Sequence, residues 1–132
     1  MVVAPNLGWR DYPLSARLSA PTGLPVVLDN DANCATLGEW WIGAARGARH
    51  VVGLTIGTGI GAGLILDGRL HSGFNRTAGE IGHMILEVGG PKCGCGVRGH
   101  LEAWASGPSI ATAAVHAARR HPSRATAGRD PG

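Results

Sequence analysis

Four side chains between Gly79 and Glu102 are of types that bind transition metals: His83, Cys93, Cys95 and His100. Imidazole and thiolate together suit Zn²⁺ better than a hard cation. Two of each would close a tetrahedral site with no open position, the structural kind. Cys-x-Cys is not the common zinc-finger spacing, and the pair could instead be idle thiols. A disulfide between them would close a small, strained ring. Gly94, Gly96 and Gly99 favour the metal, because glycines let the backbone wrap tightly round an ion. Glu80 and Glu102 flank the ligands, so a metal knot would also fix where two carboxylates point.

Two other stretches carry chemistry. Asp29-Asn30-Asp31 ends a short apolar run and precedes a helical pattern. Ligands gather at the carboxyl ends of strands in α/β folds. Asn30 and Asp31 could grip a polyol and take a proton from its hydroxyl, or Asp31 could simply cap the helix. Gly57-Thr58-Gly59-Ile60-Gly61-Ala62-Gly63 follows a β-rich run and leads into another. It is neither a P-loop nor a dinucleotide fingerprint, since no Gly-Lys-Ser/Thr and no helix follow. A glycine turn between strands can still offer N–H groups and the Thr58 hydroxyl to a phosphate. The alternative is a plain tight turn.

The elements that must hold these groups follow from pattern. Leu14–Leu18 predicts a short helix within an irregular start punctuated by Pro5, Gly8 and Pro13. Val26–Leu28 reads as a buried strand. A helix is expected over about residues 32–45, with Cys34, Leu37 and Trp41 on its apolar face and Cys34 a small buried hydrophobe. Trp40 and Trp41 suit core or subunit contacts. Val51–Ile56 and Leu64–Leu66 read as strands, and Asp67-Gly68 as a two-residue hairpin turn. Met84–Val88 is expected to be a strand. Leu101–Ala105 and Ser109–Arg120 are expected to be helices, interrupted at Ser106-Gly107-Pro108.

At 132 residues with 44% hydrophobic content, one domain or a piece of a larger one is expected. The domain is placed over residues 1–121, with 122–132 a Pro/Gly-rich disordered tail. A net charge of +3 without interleaved aromatics argues against nucleic acid as a partner. Three cysteines, two of them in the loop, suit a reducing cytoplasm rather than a disulfide scaffold. No secretory leader and no apolar run long enough to span a bilayer are visible, which argues against the membrane.

Three motifs taken together resemble the ROK family of bacterial glucokinases, other sugar kinases and sugar-responsive repressors. They are Leu28-Asp29-Asn30-Asp31-Ala32-Asn33 with Leu37-Gly38-Glu39; Gly57-Thr58-Gly59-Ile60-Gly61 with Ala78-Gly79-Glu80-Ile81-Gly82-His83; and Cys93-x-Cys95-Gly96-x-x-Gly99 with Leu101-Glu102. The resemblance runs from about Pro5 to Ile110. It implies an α/β chain with the actin-like, ribonuclease-H-like ATPase fold, incomplete here, the central part of a two-lobe sugar kinase. It implies Asp31 as general base on a hexose hydroxyl, with Asn30, Glu80, His83 and Glu102 holding the sugar. It implies that Gly57, Thr58, Gly59 and Gly61 meet the phosphates of ATP, which comes with Mg²⁺, and that His83 and the loop cysteines bind structural Zn²⁺. Homodimers are frequent in the family. His100 stands where the family has a third cysteine, and histidine also ligates zinc. The family kinases are more than twice this length, and nothing here matches their N-terminal Asp-x-Gly-Gly-Thr loop, so little activity is expected of this chain alone. A glucose kinase is the expectation; the alternative is the sugar-binding part of a family repressor.

Overall fold

A short hairpin opens the chain where irregular backbone is expected: Val3–Ala4 (β1) pairs antiparallel with Trp9–Arg10 (β2). The computed structural model describes residues 3–4 and 7–120. It separates into two units, residues 1–30 and 31–132, taken here in turn. In the first, helix α1 (Leu14–Thr22) is longer than its five-residue signal. It ends where Gly23, at φ 65°, donates its N–H to Ser19 O at 2.8 Å, a left-handed stop that glycine adopts without Cβ strain. Trp9 stacks on Tyr12 with centroids 4.3 Å apart, and Arg17 donates to the Tyr12 hydroxyl at 2.7 Å. Ser15 Oγ donates to Val26 O at 2.8 Å, tying the helix to the segment after it.

That segment corrects one expectation. Val26–Leu28 is not a buried strand: it has no strand pairing among the described residues, and Val27 is 86% exposed. An apolar run becomes a strand only when a neighbouring chain takes up its backbone groups.

The second unit is built on helix α2 (Asp31–Trp41) lying against a three-stranded antiparallel sheet. The strands are β3 (Val51–Ile56), β4 (Ile60–Leu66) and β5 (Arg69–Leu70), in that order across the sheet. The β3–β4 register runs from Val51↔Ile65 to Ile56↔Ile60, leaving Gly57-Thr58-Gly59 as a three-residue turn. At the other end of β4, Asp67 and Gly68 have φ of 50° and 71°. Two left-handed residues in succession are what a tight two-residue hairpin demands.

The face of α2 that meets the sheet is not the apolar stripe. Cys34, Leu37 and Trp41 are exposed, so Cys34 is not a buried hydrophobe. Ala32, Asn33 and Thr36 are buried instead. The reason is distance. A Cβ on Gly53 or Gly63 would overlap the Thr36 side chain, and one on Gly61 would stand 3.0 Å from Ala32 Cβ. Helix and sheet approach too closely for large side chains between them, so small residues face small residues. Trp40 anchors the far end, its indole N–H donating to Ala48 O at 2.8 Å. Glu39 Oε2 accepts the Ala44 N–H at 2.9 Å and closes the helix exit.

Beyond β5 the chain forms a 3-10 turn at Ile81–His83, then the Cys93–His100 loop. Met84–Val88 is not a strand. It makes one isolated bridge, Ile85↔His100, and Leu86 and Glu87 both direct their N–H groups at Gly99 O. One carbonyl shared by two successive amides bends the chain where a ladder would keep it straight. Helix α3 (Leu101–Ala105) and helix α4 (Gly107–Arg120) follow, broken at Ser106 alone; Gly107 and Pro108, expected in the interruption, instead open α4, where proline is tolerated in the first turn. Among the described residues no helix is long and apolar enough to cross a membrane. The tail expected over residues 122–132 lies outside the described residues.

Candidate functional site

The first three residues of β4 are where the sequence motifs meet. Ala32, next to Asp31, packs over Gly61 from the helix side. Ala62 donates its N–H to Gly79 O at 3.1 Å. A Cβ on Gly79 would overlap Ala62 O, and one on Gly82 would overlap Ile60 O. Gly79 also has φ 90°, closed to ordinary side chains. The Gly79–His83 segment is therefore pressed backbone to backbone against β4. This puts Glu80 and His83 beside the strand, with Glu80 Oε2 3.7 Å from His83 Nδ1. Glu102 reaches the same strand from α3, its Oε2 accepting the Ile60 N–H at 2.9 Å.

The four expected metal ligands come together. One ligand atom from each of His83, Cys93, Cys95 and His100 lies within 4.8 Å of all the others. Tetrahedral ligands at bond lengths of about 2.0–2.3 Å sit roughly 3.3–3.8 Å apart, so the cluster is slightly wider than a closed zinc site. Cys95 Sγ is 3.3 Å from His100 Nδ1, and the His83 and His100 rings lie 5.1 Å apart. Cys93 and His100 are buried; Cys95 and His83 are exposed.

Local backbone explains the convergence. Cys93 N–H donates to Val97 O at 2.8 Å and Gly96 N–H to Cys93 O at 2.9 Å, folding the loop on itself. Gly96 and Gly99 have φ of 97° and 83°. A Cβ on Gly99 would overlap Glu87 O. His100 opens α3 while its bridge to Ile85 draws it back to the stretch that carries His83. A hydrogen bond to the backbone of Cys95 lowers the Cys93 pKa, but burial, the Cys95 thiol and Glu102 outweigh it and hold the thiol above its ordinary value. A bound cation would reverse that balance and favour the thiolate.

The remaining site positions sort unevenly. Thr58 is exposed at the tip of its turn. Gly57 is already committed: its N–H donates to Gly59 O at 2.9 Å and its O accepts the Gly107 N–H at 2.8 Å. Gly61 lies in the strand under Ala32, so the glycine run divides into a turn (57–59) and a packing surface (61 and 63). Asp31 is exposed at the first position of α2, its Oδ1 accepting the Ala32 N–H at 2.9 Å. Asn30, also exposed, is the last residue of the first unit. Two participants escaped sequence reasoning. Gly107 braces the turn, and Gly82 is the close-contact glycine beneath His83. Both sit inside recognisable motifs, but only tertiary contact shows why glycine is needed.

A model of the ROK family matches residues 1–127. The chain belongs to the ROK family. It is 47% identical over 119 residues to a glucokinase of Halalkalibacterium halodurans, covering 89% of this chain and 36% of that protein. It is 40% identical over 106 residues to the xylose repressor of Bacillus subtilis, covering 80% of this chain and 28% of that one. The solved ROK glucokinase of Streptomyces griseus, in complex with glucose and AMPPNP, superposes with a TM-score of 0.79 at 41% identity. That match covers 93% of this chain and 39% of the other. The fold is thus part of the actin-like ATPase fold of ROK sugar kinases. The chain spans little more than a third of the length of the glucokinases it matches.

Proposed function

We propose that this ROK chain is the central part of an ATP-dependent hexose kinase, with glucose as the sugar. The observation that carries the proposal is the convergence on β4. Ala32, Gly79–His83 and Glu102 all contact its first three residues, directly beside the Gly57-Thr58-Gly59 turn. Here the base is Asp31, which precedes Ala32, the carboxylates are Glu80 and Glu102, and the phosphate contacts come from the turn. That set suits phosphoryl transfer, which needs an in-line hydroxyl and charge neutralisation more than covalent chemistry.

In this proposal Asp31 takes the proton from the attacking hydroxyl. Its exposed position at the start of a helix keeps the carboxylate accessible. Glu80, His83 and Glu102 orient the sugar, and Thr58 with Gly59 meets the phosphates of ATP, whose Mg²⁺ neutralises developing charge. Zn²⁺ on His83, Cys93, Cys95 and His100 would supply structural closure of the loop, not chemistry. The donor set fits that ion in type and number. Cytoplasm is the compartment that suits its thiols.

The test is Asp31→Asn in a full-length kinase carrying this segment. Turnover should fall by about 10²–10⁴-fold with sugar affinity largely kept; unchanged turnover would remove Asp31 from the role. A second reading rests on the 40% identity to the xylose repressor: the segment as the sugar-binding part of a regulator. The coding sequence upstream of Met1 separates the two. A phosphate loop there supports the kinase, a helix-turn-helix the repressor.

A further inference from the structure

The two edges of the sheet are finished differently. Strand β5 is two residues long and carries Arg69, and short, charged edges resist pairing with other chains. Strand β3 is the opposite edge, six residues long and paired, among the described residues, only to β4. Val51–Ile56 contains no charged residue and no proline, and its register with β4 runs without a bulge. These are the usual guards of an exposed edge, and β3 has none of them.

Hydrogen bonds show which groups this edge presents. In β4, Ile60 and Ala62 direct their N–H groups away from β3, to Glu102 Oε2 and Gly79 O, and Leu64 O accepts the His71 N–H. Backbone groups alternate in direction along a strand. Gly61, Gly63 and Ile65 are therefore the residues bonded to β3, through Thr55, Gly53 and Val51. The N–H and C=O groups of Val52, Leu54 and Ile56 point outward from the free edge. Their side chains share the face opposite α2, because Gly53 meets Thr36 on the helix side and successive side chains alternate. They are 64%, 56% and 62% exposed. An edge offering backbone partners and a row of apolar side chains suits strand addition.

We propose that β3 pairs with β3 of a second copy of this chain, antiparallel about a two-fold axis at Leu54. In that register Leu54 faces Leu54, Val52 faces Ile56, and each outward N–H meets an outward C=O. A two-fold contact must be self-complementary, and this edge is so in charge as well. Arg46, Arg49 and His50 precede β3, whereas Glu102 stands at its far end, against Gly59. Antiparallel pairing brings the basic end of each copy to the acidic end of the other and keeps like charges apart. The joined sheet takes three strands from each copy and ends on both sides at a guarded β5, so association stops at the dimer. Neither the kinase reading nor the metal reading enters this pairing.

The experiment is sedimentation velocity on the 132-residue chain over a concentration series, with amide exchange read by NMR at the two ends of that series. A monomer–dimer equilibrium is expected. Val52, Leu54 and Ile56 amides should exchange roughly tenfold or more slowly in the dimer, while Gly53 and Thr55, bonded to β4, stay protected at both ends. Leu54→Lys sets two like charges face to face across the axis and should leave the chain monomeric, with its circular dichroism unchanged because the side chain lies on the exposed face. Leu54→Glu should do the same, and mixing the two variants should restore the dimer. The wild-type exchange pattern decides the matter should either variant not fold. A wild-type chain that stays monomeric overturns the proposal, as does growth past the dimer. A dimer that survives both substitutions lies on another surface and overturns it too. A monomer whose Val52, Leu54 and Ile56 amides become protected only on adding the remaining part of a ROK kinase assigns the edge to that chain, against a second copy.

Discussion

The two turns that flank β4 are built on opposite plans. Asp67-Gly68 closes on its immediate surroundings: Gly68 N–H donates to Arg49 O at 2.8 Å, and Arg49 Nη2 pairs with Asp67 Oδ1 at 2.8 Å. Its partners are exposed and belong to the approach to the neighbouring strand. Gly57-Thr58-Gly59 is braced from far along the chain, by Glu102 and Gly107. A turn that only reverses the chain can be specified locally. A turn braced from distant residues draws on tertiary contacts, and its stability then belongs to the whole unit.

The largest effect that tests this difference is expected beside the braced end. Gly82→Val puts a branched side chain into Ile60 O, a backbone atom that cannot swing aside. Overpacking of this kind costs about 1–3 kcal/mol where neighbours can yield and more where they cannot. With native stabilities of only about 5–15 kcal/mol, the variant should unfold at markedly lower denaturant or fail to fold. Urea titration followed by circular dichroism measures it. A midpoint unchanged from wild type would mean that the Gly79–His83 segment is not seated on β4.

In the metal reading proposed above, removal of the ion comes next and should leave the local turn intact. If free zinc exceeds its dissociation constant a hundred- to thousandfold, chelation should lower stability by about 3–4 kcal/mol. Differential scanning calorimetry with and without chelator gives the size of the effect. Proteolysis gives its location: cleavage should appear within residues 91–100 and leave the Asp67-Gly68 hairpin intact. Loss of both ends together would erase the contrast between them.

How far the sequence foretold these arrangements depends on where the information resides. Asp67-Gly68 was legible because two adjacent left-handed residues are a local requirement. His83, Cys93, Cys95 and His100 were legible as a set because ligand type is written in the side chain, and their atoms do converge. The buried face of α2 was not. Hydrophobic pattern pointed to Cys34, Leu37 and Trp41, yet the sheet it meets is lined by Gly53, Gly61 and Gly63, and the residues that face those glycines are Ala32 and Thr36. The glycine spacing held that information, but it suggested phosphate first. Met84–Val88 failed for a related reason. Its apolar residues satisfy a strand pattern, whereas its amides converge on Gly99 O, a contact invisible until the loop is folded.

Two glycine substitutions sharpen the comparison at intermediate size. Gly68→Ala meets only Trp40 Cζ2 at 4.0 Å, so its cost is conformational, set by φ 71°, and should be about 1 kcal/mol. Gly59→Ala meets Glu102 Oε2 at 2.6 Å, so its cost is the displaced brace, about 1–3 kcal/mol. A double-mutant cycle tells them apart. Gly59→Ala should be strongly non-additive with Glu102→Ala, because both remove the same contact, while Gly68→Ala should add independently.

The smallest effect expected is at the local turn's ion pair. Arg49 and Asp67 are 78% and 70% exposed, and their 2.8 Å contact is set in water. Exposed pairs contribute about 0–1 kcal/mol, since ordering two side chains and screening by salt offset the attraction. His50 Nε2 also lies 3.6 Å from Asp67 Oδ1, so Arg49→Ala does not leave the carboxylate isolated. The substitution should therefore change stability by less than about 0.5 kcal/mol, and the change should vanish in 1 M salt, where the screening length is about 3 Å. Denaturant titrations at low and high ionic strength measure both. A loss of several kcal/mol that persists in salt would show that the Asp67-Gly68 turn depends on Arg49 for tertiary support, and the division between a local and a braced end of β4 would fall.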